Sequence, residues 1–365
     1  MRKKHILLKI LLLVLSCLLF CGCEKSSGSG RKKETRTKKE TRTKKPPVLR
    51  IYNWGDYLSP EVIQAFEEEY DCKIELDTFD SNEAMYAKLT AGASGYDIVV
   101  PSSFMAEPMF DQGMLEKLDL SKLPNVKQYY DTKYNSLNLD PDMVYSVPYF
   151  ISFTGIGYDT RYVKDFKPSW RMFERADLKG KTSLLDDQRE VLGCALRTLG
   201  YDSNETDPVK IAQAVALART WKEQIARFGV DDTKQSLATG EFWMIQTYSG
   251  DMLQVIAEVP TVKFVIPEEG STVTFDNMAI MKDSKNKDLA YKFIDFLYRP
   301  EIAAMNMNEI QYVMPHKTAV GLVDAELRAN PAFLIPEADF KRCAPLQYLG
   351  DKNKLYNDAW DKIRQ

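Results

Sequence analysis

The stretch Leu49-Arg50-Ile51-Tyr52-Asn53-Trp54, followed by Gly55-Asp56-Tyr57-Leu58-Ser59-Pro60, decides the fold. Its first six residues alternate apolar and polar side chains, the two-residue period of a strand with one face buried. Ser59-Pro60 then opens a helix that runs to Tyr70, with Ser at the N-cap and Pro at the first helical position. A strand at Lys73–Thr78, a helix around Glu83–Ala91 and the apolar strand Ile98-Val99-Val100, stopped by Pro101, continue the pattern. This alternation predicts an α/β fold of mostly parallel strands with helices on both faces.

Further along, Thr182–Leu185 reads as a strand feeding a helix at Arg189–Leu199, and Asp207-Pro208 caps a long helix ending near Phe228-Gly229. Strands are expected at Phe242–Thr247, Lys263–Ile266 and Thr274–Ile280, and helices at Lys287–Leu297, Pro300–Asn308 and Leu355–Ile363. About 320 residues of such units exceed one comfortable core, so two α/β lobes are expected.

The front end is of a different kind. Arg2, Lys3 and Lys4 precede an apolar run from Ile6 to Phe20, the layout of an export signal and too short for a comfortable membrane span. The run ends in Leu19-Phe20-Cys21-Gly22-Cys23, which resembles the site where a bacterial lipoprotein is cleaved and acylated. Cys23 is the better acceptor because Gly22 precedes it, so residues 1–23 are expected to be a lipoprotein signal. Residues 24–46 are polar and basic and contain a repeat, Lys32–Thr37 followed by Lys38–Thr43, which reads as a disordered tether.

The whole chain has a formal charge of −3, and setting the basic front end aside leaves a distinctly acidic body. A field of that sign attracts small cations and repels nucleic acid. Of six cysteines only Cys72, Cys194 and Cys343 lie in the body, an odd number with no Cys-x-x-Cys spacing, and buried thiols are expected. His5 belongs to the signal, leaving His316 alone, which argues against Ser-His-Asp catalysis and multi-histidine metal sites. In its Pro-His-Lys context His316 reads as a solvated turn residue. No cofactor, metal site or nucleotide loop is indicated.

Open α/β sheets bind ligands outside the carboxyl ends of their strands. That rule draws attention to Trp54–Tyr57, Ser102–Phe104 and Asp186–Glu190, each rich in aromatic or acidic side chains. Those segments also carry a family resemblance. Tyr52-Asn53-Trp54-Gly55-Asp56-Tyr57, Ser81-Asn82-Glu83-Ala84-Met85-Tyr86-Ala87-Lys88-Leu89, Tyr96-Asp97-Ile98-Val99-Val100-Pro101-Ser102, Leu185-Asp186-Asp187-Gln188-Arg189-Glu190-Val191, Phe275-Asp276-Asn277-Met278-Ala279-Ile280 and Phe296-Leu297-Tyr298-Arg299-Pro300 occur in order. Together they resemble the spermidine/putrescine-binding proteins of bacterial ABC importers.

The resemblance implies a type II periplasmic-binding-protein fold in which the chain crosses between lobes twice. Lobe one would be 47–151 plus 274–320, and lobe two 152–273 plus 321–365. It implies no enzyme activity but hinge closure on a polyamine, delivery to a membrane permease, a monomeric state, and a periplasmic location with a lipid anchor in the membrane. It also implies a ligand site of Trp54, Asp56, Tyr57, Ser102, Phe104, Asp187, Glu190, Tyr248, Asp276, Tyr312 and Gln347. Asp187 and Glu190 would take one terminal ammonium and Asp276 an amine further along. Trp54, Tyr57, Tyr248 and Tyr312 would box the chain, while Asp56, Ser102 and Gln347 supply hydrogen bonds.

Three positions depart from the family pattern. Thr274 stands where an aromatic residue usually precedes the key Asp by two, Phe104 replaces a Tyr, and Tyr248 replaces a Trp. Phe275 is expected to point away from the site, because side chains alternate along a strand. Ordinary carboxylates would make ligand affinity fall as pH drops toward about 4. Other readings of the same residues are a clamp for an amino acid or ferric iron, a glycoside hydrolase using Asp187 and Glu190 as its carboxylate pair, or a surface scaffold.

Overall fold

The computed structural model describes residues 45–365, apart from the side chain of Asp231. The expected signal, the acylation site Cys23 and residues 24–44 of the expected tether lie outside the described residues.

Ten strands occur in chain order: β1 (Val48–Trp54), β2 (Lys73–Phe79), β3 (Ile98–Val99), β4 (Val147–Asp159), β5 (Thr182–Leu184), β6 (Arg227–Phe228), β7 (Met244–Tyr248), β8 (Val262–Val265), β9 (Ser271–Ile280) and β10 (Cys343–Pro345). They line up as β2-β1-β3-β9-β4-β7-β5-β6, with β8 paired to β4 and β10 to β9. The outer pairings are parallel: β1 lies between β2 and β3, and β5 between β6 and β7. The middle is antiparallel, β9 against β3 and β4 against both β9 and β7, so the sheet is mixed.

β4 and β9 join the two ends of this array. The first half of β4, through Phe153, pairs with β9, and its second half, Thr154–Asp159, pairs with β7 and β8. The buried apolar side chains gather in several clusters, two of them large. One gathers Leu49, Ile51, Phe66, Tyr149, Phe293, Phe296 and Met307. The other gathers Ile156, Trp170, Leu192, Trp221, Met244 and, from the C-terminal helix Asn353–Arg364, Tyr356 and Ile363. The intervening stretch sends Val323, Ala332 and Phe333 into the first core.

Most local expectations correspond to elements within a residue or two. The helix at Pro60–Tyr70 starts at Pro60 and ends on Asp71 in the left-handed region, φ 46°. Its Phe66 meets Phe293 and Phe296 edge-on at 5.0 and 5.3 Å. The long helix that opens at Asp207-Pro208 stops at Lys222 instead of near Phe228. Beyond it Ala226 donates to the Thr182 carbonyl and Arg227–Phe228 pairs with β5, so a sheet edge captures the tail of the expected helix.

β4 escaped the sequence reading although it is the longest strand. All but one of its residues are buried, so it shows no alternation, and its interior glycines read as punctuation. The glycines are there for space: a Cβ on Gly155 would stand 2.5 Å from the Phe264 ring and 2.7 Å from the Val265 carbonyl oxygen.

His316 is not solvated, as the sequence had suggested, but 2% exposed. Its ring stacks on Tyr129 at 5.2 Å, Nδ1 accepts from the Thr318 and Ala319 amides, and Nε2 contacts the Tyr298 carbonyl. Cys72, Cys194 and Cys343 are free thiols, all buried.

Replacing Gly155 with Ala should overpack the β4–β8 contact, because a backbone carbonyl cannot rotate aside as a side chain can. The expected loss is about 1–3 kcal/mol, read as a lower denaturant midpoint at unchanged slope. Gly321→Ala, where nothing lies within 4 Å of the added carbon, should leave the midpoint in place. Equal midpoints for both variants would contradict this account of β4.

Candidate functional site

Where β4 and β9 pass each other, one face of both strands forms a floor. Ser152 stands opposite Thr274 in the register, and Asp276 and Thr272 flank Thr274 at two-residue intervals on the same side. Above the floor opens a cleft of about 720 Å³. It is walled by the ends of β1, β3, β5 and β7 and by the first turns of the helices that follow them. Phe275 faces the other way, into a cluster with Ile151, Phe153 and Val273, and is absent from the lining.

Asp276 is 7% exposed and is held between two hydroxyls. Tyr57 Oη donates to one carboxylate oxygen at 2.7 Å and Ser102 Oγ to the other at 2.7 Å. Ser102 is fixed in turn by Asn82, whose Nδ2 donates to Ser102 Oγ and whose Oδ1 accepts from the Ser102 amide, both at 3.0 Å. Tyr57 is seated by Tyr149, whose hydroxyl donates to the Tyr57 carbonyl at 2.8 Å. Burial pushes the Asp276 carboxyl up to about 6, against the pull of these two hydroxyls.

At the other end, Asp187 is the N-cap of the helix Gln188–Thr198, and one of its oxygens accepts from the Arg189 and Glu190 amides at 2.8 and 3.1 Å. Asp187 thus both caps this helix and lines the cleft. Burial raises its pKa while the cap bonds and the Tyr248 hydroxyl lower it. Glu190, one turn into that helix and 2% exposed, accepts from the Thr272 hydroxyl. Burial first, and the charge of Asp187 second, push it up to about 7.

Arg189, between them in sequence, turns away. It donates to the Gln347 carbonyl at 3.1 Å and to Asn204 Oδ1 at 2.9 Å, and its guanidinium lies 4.7 Å from the Tyr356 ring centre. None of the salt bridges among the described residues involves Asp276, Asp187 or Glu190. Eight carboxylates and a single cation, Arg364, line the cleft, and Arg364 is paired with Asp186 at 2.8 Å.

The walls between the anions are aromatic. Trp54 leans on Phe79 at 4.5 Å, Tyr57 meets Tyr312 edge-on at 5.1 Å, and Tyr248 and Phe104 complete the lining. Tyr312 fits because Gly250 has no side chain, since a Cβ there would come within 2.1 Å of the ring. Burial raises the phenol pKa of Tyr57, Tyr248 and Tyr312 well above its usual value.

Nine of the eleven expected positions therefore meet in one cleft: Trp54, Tyr57, Ser102, Phe104, Asp187, Glu190, Tyr248, Asp276 and Tyr312. Asp56 and Gln347 are not in the lining. Asp56 is exposed on the turn after β1 with a left-handed backbone, φ 48°, and Gln347 is exposed and engaged through its backbone amide and carbonyl.

Among the lining residues that were not singled out from sequence are Ser152, Glu83 and Asp251. Ser152 lies on the unrecognised β4, and Glu83 opens a helix whose motif was noticed only for its family likeness. Glu83 faces Asp187 across the cleft; burial, then that charge, raises its pKa, and the Gln188 side chain hydrogen-bonds it. Asp251, hydrogen-bonded with Tyr312 and 3.6 Å from Lys234, follows Tyr248 by three residues, a helical spacing that could have revealed it.

Comparisons with known proteins agree with this architecture. The family described as bacterial extracellular solute-binding protein matches residues 61–335. The putrescine/cadaverine-binding protein of Pseudomonas aeruginosa is 33% identical over 331 residues, covering 87% of this chain and 93% of that protein. The spermidine/putrescine-binding periplasmic protein of Escherichia coli K12 is 33% identical over 328 residues, covering 87% and 91%. Among solved structures, the TpPotD lipoprotein of Treponema pallidum superposes with a TM-score of 0.80 at 34% identity, covering 87% of this chain and 99% of that one. The fold is that of type II periplasmic binding proteins, whose task is to bind solutes for transporters and not to catalyse. The chain belongs to the family of bacterial extracellular solute-binding proteins.

Proposed function

We propose that this protein captures linear polyamines such as putrescine and spermidine in the cleft, closes on them and hands them to the membrane permease of an ABC importer. The observation that carries the reading is a set of buried carboxylates, Asp276 at one end and Asp187 with Glu190 at the other, separated by aromatic walls and lacking a salt bridge of their own. A polyamine is a row of ammonium groups joined by methylenes. Each ammonium supplies the charge that a desolvated carboxylate needs, and the rings cover the methylenes and attract the cations. The names of the relatives from Pseudomonas aeruginosa and Escherichia coli support the same ligand class.

Closure follows from the placement of the groups. Lobe one, 47–151 plus 274–320, carries Trp54, Tyr57, Ser102 and Asp276, and lobe two, 152–273 plus 321–365, carries Asp187, Glu190 and Tyr248. A ligand gains both sets of contacts only when the lobes approach, so binding shifts the population toward the closed form. The hinge is the passage of β4 and β9 between lobes. The protein works as an exported monomer held at the bacterial membrane through lipid on Cys23. The description of the Treponema pallidum neighbour as a lipoprotein supports such an anchor, and no helix among the described residues is long and apolar enough to cross a membrane.

An amino-acid ligand fits less well, because its carboxylate would need a cation and the one in the lining is engaged with Asp186. Ferric iron fits less well too, because among the described residues no group of three or more His, Cys, Asp or Glu side chains is placed to hold a metal ion.

Calorimetry of the purified protein should give dissociation constants in the micromolar range for putrescine or spermidine, about −8 kcal/mol, and no heat with glutamate. Asp276→Asn, which keeps the shape and removes the charge, should weaken binding by about 2–5 kcal/mol. Full affinity in that variant, or heat only with a non-amine, would refute the reading.

The pH dependence lies higher than the sequence had suggested. Because Asp276 titrates at about 6 and Glu190 at about 7 in the empty cleft, affinity should begin to fall as pH drops through 7 and not near 4. Without ligand the sign reverses. The folded pKa of Asp276 exceeds its unfolded value of 3.8, so the favourable contribution of its proton is present at low pH and is lost as pH rises through 6. Asp276→Asn should therefore melt higher than the parent at pH 8, by up to about 3 kcal/mol, with the difference vanishing toward pH 4. A constant difference across that range would show that Asp276 is not desolvated.

A further inference from the structure

We infer that the cleft carries an outer cation subsite, made by the Asp186 carboxylate and the Trp360 ring, in which the chain's own Arg364 sits and which the outermost ammonium of a linear tetraamine takes over; the inference rests on the polyamine reading above. The cleft does not end at Asp187. Its lining continues over Asp186 and Gln188 to Asn357, Trp360 and Arg364. These last three stand at intervals of three and four along the helix Asn353–Arg364, so one face of that helix forms the wall.

A cation already occupies this place. The Arg364 guanidinium pairs with the Asp186 carboxylate at 2.8 Å and lies 5.2 Å from the centre of the Trp360 ring. A carboxylate beside an aromatic face is the combination that also suits an ammonium, through charge-assisted hydrogen bonds and the ring quadrupole. Phe228 meets Trp360 edge-on at 5.0 Å, and the Lys222 ammonium donates to the Arg364 carbonyl at 2.6 Å. The ring and the backbone are therefore held independently of the guanidinium and stay in place when it leaves.

Arg364 is held loosely. Its side chain is 49% exposed and that of Asp186 39%, and an ion pair so open to water stabilises little, because solvent screens it and a long side chain must be ordered. Arg189 differs: it is 2% exposed and bonded to the Gln347 carbonyl and to Asn204, so it stays where it is. An incoming ammonium displaces Arg364 at small cost and keeps Asp186 paired. Asp186 and Asp187 are chain neighbours with Cα atoms about 3.8 Å apart, so nitrogens joined by a short methylene spacer can engage both carboxylates. A triamine that ends at Asp187 stops short of Trp360, whereas a tetraamine has one more charge to place there.

The test is calorimetry of the purified protein with spermidine and with spermine, a linear tetraamine, on the parent, Arg364→Gln, Asp186→Asn and the double variant. Arg364→Gln should raise the spermine-to-spermidine affinity ratio about threefold, and Asp186→Asn should lower it by about as much, the scale of an exposed charge pair. The double variant has the net charge of the parent. With Asp186 as the anchor of the fourth ammonium, its ratio stays below that of the parent. A ratio restored to the parent value would mean that the overall field of the cleft senses the added charge, and it would overturn the subsite. A ratio that no variant moves would overturn the subsite too, while leaving the polyamine reading intact. Binding of neither amine by the parent would remove that reading and the subsite together.

Discussion

The structure turns on carboxylates kept out of water without a salt bridge of their own among the described residues. Moving a carboxylate from water into an apolar surround is prohibitive unless hydrogen bonds or an opposite charge offset the loss of hydration. This protein offsets it in part: two hydroxyls hold Asp276, the amides of a helix N-terminus hold Asp187, and a threonine hydroxyl holds Glu190. Those bonds are enough to place the groups, but burial still dominates and keeps Asp276 and Glu190 well above ordinary carboxylate pKa values. In the polyamine reading a cationic ligand relieves the remaining deficit and draws its binding free energy from it.

The need for exact placement explains much of the surrounding architecture. Asp276 depends on a chain of contacts that starts at Asn306, passes through Tyr149 to the Tyr57 carbonyl, and reaches the carboxylate through the Tyr57 hydroxyl. A second chain runs from Asn82 through Ser102. Every link is buried, so each is costly to break and each restrains the next. Glycines serve the same end by leaving room: Gly250 for the Tyr312 ring and Gly155 for β8.

β4 and β9 have two tasks. They tie the two hydrophobic cores into one array, and their shared face forms the cleft floor. Trp54, Asp187 and Tyr248 sit instead on strand ends and helix starts around that floor.

Local sequence was enough for much of this. The alternation in Leu49–Trp54, the Ser59-Pro60 helix start and the apolar stop at Pro101 determined the first βαβ units, because strand period, fixed proline geometry and lost amide donors act within a few residues. Motif likeness brought nine lining positions into view, because they lie in the segments where strands end and helices begin. The crossing strand β4 was not legible, since burial on both faces erases the period that marks a strand, and Arg227–Phe228 left its helix only because β5 offered a free edge. Nor could sequence spacing show that Ser152 and Glu83 share a cleft with Asp276, that His316 is buried, or that Asp56 and Gln347 face away. Those outcomes depend on which distant segments pack together, and so do the raised carboxylate pKa values, because desolvation is set by everything that surrounds a group and not by its neighbours in the chain.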